Sequence, residues 1–145
     1  MHIAVSRTLF DDHVGRWPPD LAASRGWNLH RLEFPVIDCE FTAAGRTPMR
    51  LYFDFTGWDD EPPSVSLRSS AGEVLSSLPQ GLPNVFNNSA HQNTGKPFVC
   101  MAGSREFHTH QSHLNERWEQ FRRKPGFDIG DIVHKLWSAW LKGTN

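Results

Sequence analysis

The chain has 145 residues, of which 38% are hydrophobic and 21% charged, and its formal net charge is -1. Such a length and composition belong to one folded domain and exclude a disordered chain. A charge so close to zero gives no electrostatic reason to expect nucleic acid or an anionic membrane as the main partner. No apolar run reaches about 18 residues, and the N-terminus does not resemble a signal peptide. We therefore predict one domain over residues 1–145, in the cytoplasm.

A short helix is predicted at the N-terminus, before Pro18 and Pro19. The apolar residues there recur with the spacing of one helix face, and the two prolines cannot continue the helix. These apolar residues are Val5, Leu9, Phe10 and Val14.

The pattern changes to a period of two after Trp27. Residues 37–41, 51–55 and 65–67 each alternate apolar with polar side chains, which is typical of half-buried strands. Gly45 and Arg46 predict a turn between the first two of these strands, so an antiparallel meander is expected. Cys39 lies on the apolar side of the first strand, and we expect a buried, unreactive thiol there.

Residues 69–99 are rich in serine, proline, asparagine and glycine. This composition predicts a long and largely irregular passage. Loops of this length are uncommon inside a compact domain and often carry function.

The C-terminal segment predicts an amphipathic helix. Asp128 suits its N-cap, Asp131 lies in the first turn, where the helix dipole favours a carboxylate, and Gly143 suits its end. Strands first and a closing helix last favour an α+β fold. The apolar stripe of the helix contains Ile129, Ile132, Val133, Leu136, Trp137, Trp140 and Leu141.

Four of the eight histidines lie in residues 91–113, around Cys100. On residue grounds Cys100 is either an available nucleophile beside glycines and asparagines or one more small buried residue. His108 and His110 would point the same way on an extended segment, with His113 as a third ligand for zinc or another transition ion. No carboxylate or cysteine completes an obvious ligand set, so no metal or other cofactor is assigned. The alternatives are structural or surface histidines, and histidines that lie near Cys100.

The order of several motifs resembles that of ubiquitin-conjugating enzymes over roughly residues 28–142. FDFTGWDDEPPSVSL is similar to the family's strand, loop and paired-proline segment. His91, Gln92 and Asn93 resemble its His-Pro-Asn tripeptide, and Cys100 follows nine residues after His91. Trp118 and the closing helix resemble the tryptophan and helix after the active-site cysteine.

The resemblance implies a four-stranded antiparallel meander with flanking helices, and a catalytic Cys100. Cys100 would accept a ubiquitin-like modifier as a thioester from an activating enzyme and transfer it to an amine. Asn93 would donate to the oxyanion or brace its loop, and His91 would pin the loop or act as a base. An ordinary thiol pKa of about 8.5 leaves some thiolate near neutrality, so strong activation is not expected.

The departures point to a bacterial form of that family. Gln92 replaces the proline, and only 45 residues follow Cys100, so the fold is expected to be shortened at the C-terminus. Similar proteins occur in operons with an activating enzyme, a ubiquitin-like modifier and a metal-dependent deconjugating peptidase, which are the expected partners. The family's acidic residue has no clear counterpart, although Glu106 or Asp128 could replace it.

Two rival hypotheses come from other classes of protein. In one, the fold is catalytically inert and carries a modifier without a covalent bond. In the other, the chain is a metal-binding protein in which Cys100 and the His108/His110 pair share an ion. The presence of both Cys100 and Asn93 favours the enzyme.

Overall fold

Four antiparallel strands form the main sheet in the computed structural model, which describes residues 2–143. Their order in the sheet is the order in the chain, which confirms the predicted meander and the α+β class. The first strand was not visible as an alternating pattern, because only Trp27 of its seven residues is buried. The strands are β1 (Trp27–Glu33), β2 (Val36–Phe41), β3 (Met49–Asp54) and β4 (Ser64–Arg68).

In the part of the chain that the structure describes, four α-helices flank the sheet. The first ends before the proline pair, as predicted, and packs against the last. Within residues 2–143, no helix combines the length and apolar character needed to cross a membrane. The helices are α1 (Ile3–Gly15), α2 (Leu21–Arg25), α3 (Arg105–Thr109) and α4 (Ile129–Lys142), and short 3₁₀ helices span Gln111–His113 and Trp118–Gln120.

Helix α4 confirms the predicted stripe and caps. The Asp128 carboxylate accepts a hydrogen bond from the backbone N–H of Asp131, and the Asp131 carboxylate accepts a hydrogen bond from the backbone N–H of Asp128. Gly143 caps the other end of the helix. Trp137 and Leu141 lie at the margin of the stripe and are partly buried. Its centre, which is at most 1% exposed, consists of Ile129, Ile132, Val133, Leu136 and Trp140.

Strand β2 corrects the expectation of a half-buried strand, because all six of its residues are buried. Its polar face is covered by partners from neighbouring segments. Asp38 accepts two hydrogen bonds from the Arg50 guanidinium, at 2.9 and 2.8 Å. Glu40 accepts one from the Ser70 hydroxyl at 2.5 Å. The strand therefore buries charged groups, and these groups are paired, as burial of charge requires.

The passage over residues 69–99 is largely irregular, as predicted. Its regular pairing is limited to two short strands, β5 (Phe86–Asn87) and β6 (Phe98–Val99), which pair antiparallel. Strand β6 lies close to β4 and α3. The passage therefore returns to the core immediately before Cys100.

The core position of α4 gives a stability prediction. Leu136 is fully buried, so Leu136→Ala should lower the free energy of unfolding by about 2–5 kcal/mol through lost burial and a residual cavity. Leu114 is 59% exposed, and Leu114→Ala should change the free energy by about 0.5 kcal/mol or less. Urea titration followed by tryptophan fluorescence measures both, and equal effects would contradict the packing of α4.

Candidate active site

Cys100 lies at the end of β6, where the chain leaves the core. Its backbone N–H donates to the carbonyl of Val85 at 2.7 Å, which fixes the position of its Cα. Its side chain is partly exposed, whereas Cys39 is fully buried in the sheet. The two cysteines therefore differ in accessibility, and Cys39 is a core residue, as predicted.

The turn after Cys100 depends on Gly103. Its φ is +106°, in a region that side chains disfavour. A Cβ at this position would lie 3.3 Å from Cγ1 of Ile132 on α4. Ser104 closes the turn by donating from its hydroxyl to the carbonyl of Val99 at 2.9 Å. The turn that carries Cys100 thus packs directly against α4.

His91 braces the loop that carries Asn93. Its Nδ1 accepts a hydrogen bond from the backbone N–H of Asn93 at 3.0 Å, and its Nε2 donates to the carbonyl of Glu106 at 2.9 Å. The residue is 1% exposed, and its ring packs edge-on against Phe98. These bonds support the bracing role considered for His91 and use both ring nitrogens. Asn93 is exposed, and its catalytic role stays a prediction.

His108 joins the turn after Cys100 to a loop further along the chain. Its Nε2 accepts from the backbone N–H of Gly103 at 3.0 Å, and its Nδ1 donates to the carbonyl of Glu116 at 2.6 Å. One acceptor and one donor nitrogen define the neutral imidazole. Burial lowers the pKa of His108, which favours the same neutral form. The ring lies beside Phe107, Trp118 and Phe121.

The premise of a metal site on an extended segment is wrong. Residues 105–109 form helix α3, and His108 has both ring nitrogens bonded to backbone groups. His110 follows the helix, stacks on Phe98 and accepts from the backbone N–H of Ser112 through Nδ1. Over residues 2–143, no group of three or more His, Cys, Asp or Glu side chains is arranged to hold a metal ion.

His113, considered as a third metal ligand, instead contacts Cys100. Its Nε2 lies 3.6 Å from Sγ of Cys100, and its Nδ1 lies 2.6 Å from Oε2 of Glu116. The ring stacks on Phe107 with centroids 4.0 Å apart, which limits its rotation. Sequence reasoning missed Glu116. Its only local signal is a spacing of three residues from His113, which becomes informative once that histidine is known to be at the site.

The surroundings of Cys100 disfavour its thiolate. Partial burial raises the pKa of the thiol, and the negative charge of Glu116 raises it further. The thiol therefore does not have the ordinary pKa that was expected for it. A thiol with a raised pKa needs a base to remove its proton when it attacks, and His113 is in contact with it.

Neither acidic residue suggested from the sequence is free to act at Cys100. Glu106 is 6% exposed and accepts hydrogen bonds from the backbone N–H of Val65 at 2.8 Å and the hydroxyl of Ser64 at 3.0 Å. Burial raises the pKa of Glu106. Asp128 is engaged in the cap of α4. Both carboxylates therefore have structural roles. The acidic group linked to Cys100 is Glu116, because it contacts His113, which in turn contacts the thiol.

The structure therefore brings together a partly exposed thiol, an imidazole and a carboxylate, in that order of contact. Comparison with protein-family models and with curated proteins yields no match to the chain. The geometry of the side chains, together with the motif order, is what bears on function.

The two thiols should react at very different rates in the native protein. Burial raises the pKa of Cys39 to about 12, with Asp38 and Glu40 adding to the effect, and its side chain is 0% exposed. Iodoacetamide should therefore label Cys100 in native protein and Cys39 only after denaturation. Mass spectrometry of tryptic peptides assigns the label. Faster native labelling of Cys39 would overturn this description of the site.

His108 should make stability depend on pH. Its pKa is lowered in the folded state, so the unfolded chain binds the proton more readily and stability falls as pH drops below about 6.5. His108→Ala should cost about 1–3 kcal/mol at about pH 7.5, because it leaves two backbone groups without their partner. It should also reduce the loss of stability between about pH 7.5 and pH 5.5.

The matched control is His134→Ala, since His134 is exposed on α4. The contributions of His13 and Glu106, whose pKa values are also shifted, are common to all three proteins and cancel in the comparison. Thermal or urea unfolding at the two pH values gives the difference. An equal pH dependence in wild type and His108→Ala would contradict the neutral bridging role.

Proposed function

We propose that the chain is a conjugating enzyme of the ubiquitin-conjugating type. Cys100 accepts the C-terminal acyl group of a ubiquitin-like modifier as a thioester from an activating enzyme, and then passes it to an amine. The observation that carries this proposal is the 3.6 Å contact between Sγ of Cys100 and Nε2 of His113, on a partly exposed cysteine. A thiol in contact with a base can form and discharge a thioester.

The order of structural elements supports the conjugating type. A helix, a four-stranded meander, a long irregular passage, a cysteine and a closing helix follow one another in the chain. The motif order of the ubiquitin-conjugating family follows the same sequence of elements. Under this proposal the chain has that fold in a bacterial form, and an operon-encoded deconjugating peptidase would reverse its product.

Asn93 is the proposed oxyanion donor. It is exposed in a loop whose backbone is held by His91, and no hydrogen bond to its carboxamide is found among residues 2–143. A carboxamide N–H₂ in this position would stabilise negative charge on the thioester oxygen during attack by the amine. The bracing by His91 keeps the donor in place without using its side chain.

A second function is favoured by the His113–Glu116 pair. Hydrolases also use a cysteine that contacts a histidine, which in turn contacts a carboxylate. In these enzymes water takes the acyl group from the cysteine. The two functions share the thioester on Cys100 and differ in the acceptor. Products containing a new amide bond identify a transferase, whereas release of the free carboxylate identifies a hydrolase.

The transfer activity can be tested with a cognate activating enzyme, ATP and modifier. The wild-type protein should form an adduct at Cys100 that thiol reductant releases. Cys100→Ser should retain a reductant-resistant oxyester, because an oxygen ester is a poorer acyl donor than a thioester, and Cys100→Ala should form no adduct. Gel analysis with and without reductant distinguishes these outcomes.

Asn93→Ala should accept the modifier at the wild-type rate but discharge it to an amine about 10²–10³ times more slowly. Single-turnover discharge of the isolated thioester separates the second step from the first. An adduct that persists in Cys100→Ala, or the lack of any adduct with an active activating enzyme, would refute the conjugating function and favour the inert binding module.

A further inference from the structure

Three groups from two loops meet at the nucleophile in a fixed order. Sγ of Cys100 contacts Nε2 of His113, and Nδ1 of the same ring contacts Oε2 of Glu116 at 2.6 Å. Apart from these contacts, the ring is held by its stack on Phe107. The backbone of Glu116 is held by His108, which is itself bonded to Gly103, three residues after the nucleophile.

We infer that His113 is a catalytic general base at Cys100 and that Glu116 is the residue that positions it. The inference deepens the proposed function, on which it rests for the identity of the acyl donor and acceptor. It assigns a proton path that the predicted site residues do not supply. His91, Glu106 and Asp128 are engaged in structural hydrogen bonds, and the carboxamide of Asn93 is not a base.

The chemistry of the contacts defines the tautomer of His113. A carboxylate accepts hydrogen bonds, so Nδ1 carries the hydrogen and donates it to Glu116. Nε2 then carries the free lone pair of a neutral ring, and the thiol of Cys100 donates a hydrogen bond to this nitrogen. This is the arrangement in which a carboxylate holds an imidazole ready to take a proton from a nucleophile.

The His113 ring is surrounded by titratable groups. Its Nδ1 contacts the Glu116 carboxylate at 2.6 Å. Cys100 faces the ring from the turn after β6. His110 is the nearest other titratable ring, with centroids 6.0 Å apart, and His108 lies beyond Phe107 with its neutral form favoured by burial.

In the first half-reaction, Sγ of Cys100 attacks the carbonyl carbon of the donor thioester. The proton of the thiol passes to Nε2 of His113, and a new S–C bond forms. The S–C bond of the donor then breaks, and the departing sulphur takes the proton from His113. One thioester is exchanged for another, and no oxidant or reductant is needed.

In the second half-reaction, a neutral amine attacks the thioester on Cys100. An N–C bond forms, Nε2 of His113 takes a proton from the amine nitrogen, and the S–C bond breaks. The proton then goes to the Cys100 sulphur, which restores the thiol. The half-exposed Glu116 carboxylate attracts the positively charged form in which a primary amine arrives, before that amine loses its first proton to solvent.

A small acyl donor tests this path without any partner protein. p-Nitrophenyl acetate should acetylate Cys100 and release a burst of about one equivalent of p-nitrophenol per protein. His113→Ala should lower the burst rate constant by about 10²-fold or more near pH 7, the usual contribution of a general base. In the wild type the rate should reach a plateau well below the thiol pKa, whereas in the variant it should keep rising with the thiolate fraction.

Glu116 variants distinguish positioning from folding, because the Glu116 side chain is 50% exposed and its replacement disturbs no core packing. Glu116→Gln can offer an N–H to Nδ1 and so favour the wrong tautomer, and the rate should fall by about 10-fold or more. Glu116→Asp should restore much of it. His134→Ala removes an exposed histidine from α4 and should leave the rate unchanged, and Cys100→Ala should show no burst.

The outcomes separate this inference from the conjugating function. A burst with an unchanged rate and pH profile in both His113→Ala and Glu116→Gln, or a wild type without a Cys100-dependent burst, would overturn the assignment of His113. If the His113→Ala protein is unfolded by circular dichroism, His113→Gln and the Glu116 pair decide. A His113-dependent burst in a protein that takes no modifier from an activating enzyme would support the inference and refute the conjugating function.

Discussion

The neutral imidazole of His108 joins the two loops from which the site is built. One of its nitrogens accepts from Gly103 in the turn after the nucleophile, and the other donates to the carbonyl of Glu116. Both bonds require the same tautomer, so a charged His108 would lose the first of them. The separation of Cys100 from His113 therefore depends on a side chain that takes no part in the proposed chemistry.

Two buried carboxyl groups anchor the segment that follows Cys100. Glu106 accepts from the backbone of Val65 at the start of β4, and the Asp59 carboxylate accepts from the guanidinium groups of Arg122 and Arg123. Burial alone would raise the pKa of Asp59, but the hydrogen bonds from Arg123 and Arg122 outweigh it and lower the pKa. These bonds hold both ends of the segment against the same part of the chain, and the loop between them carries His113.

Under the proposed function, the electrostatics of the site would suit an acyl carrier whose thiol stays unreactive until an acyl donor binds. Burial and the negative charge of Glu116 raise the pKa of the Cys100 thiol and so favour its protonated form. This limits its reaction with electrophiles that are not bound at the site. The same carboxylate contacts Nδ1 of His113, so one acidic side chain lies close to both the thiol and the imidazole. Under the proposed function, this arrangement would suit a cysteine that reacts with one bound donor and not with the solvent.

Local periodicity in the sequence was sufficient for three strands of the meander, the closing helix with its caps, and the burial of Cys39, because alternation and helical spacing report directly which face is buried. Strand β1 and the full burial of β2 were not predictable, since pairing across segments covers polar residues that a pattern assigns to solvent. The sequence alone also drew attention to Cys100 and its neighbouring histidines. Only the tertiary structure decided which histidine touches the thiol, because the contact of Cys100 with His113 spans thirteen residues and depends on a glycine turn, a five-residue helix and the His108 bridge.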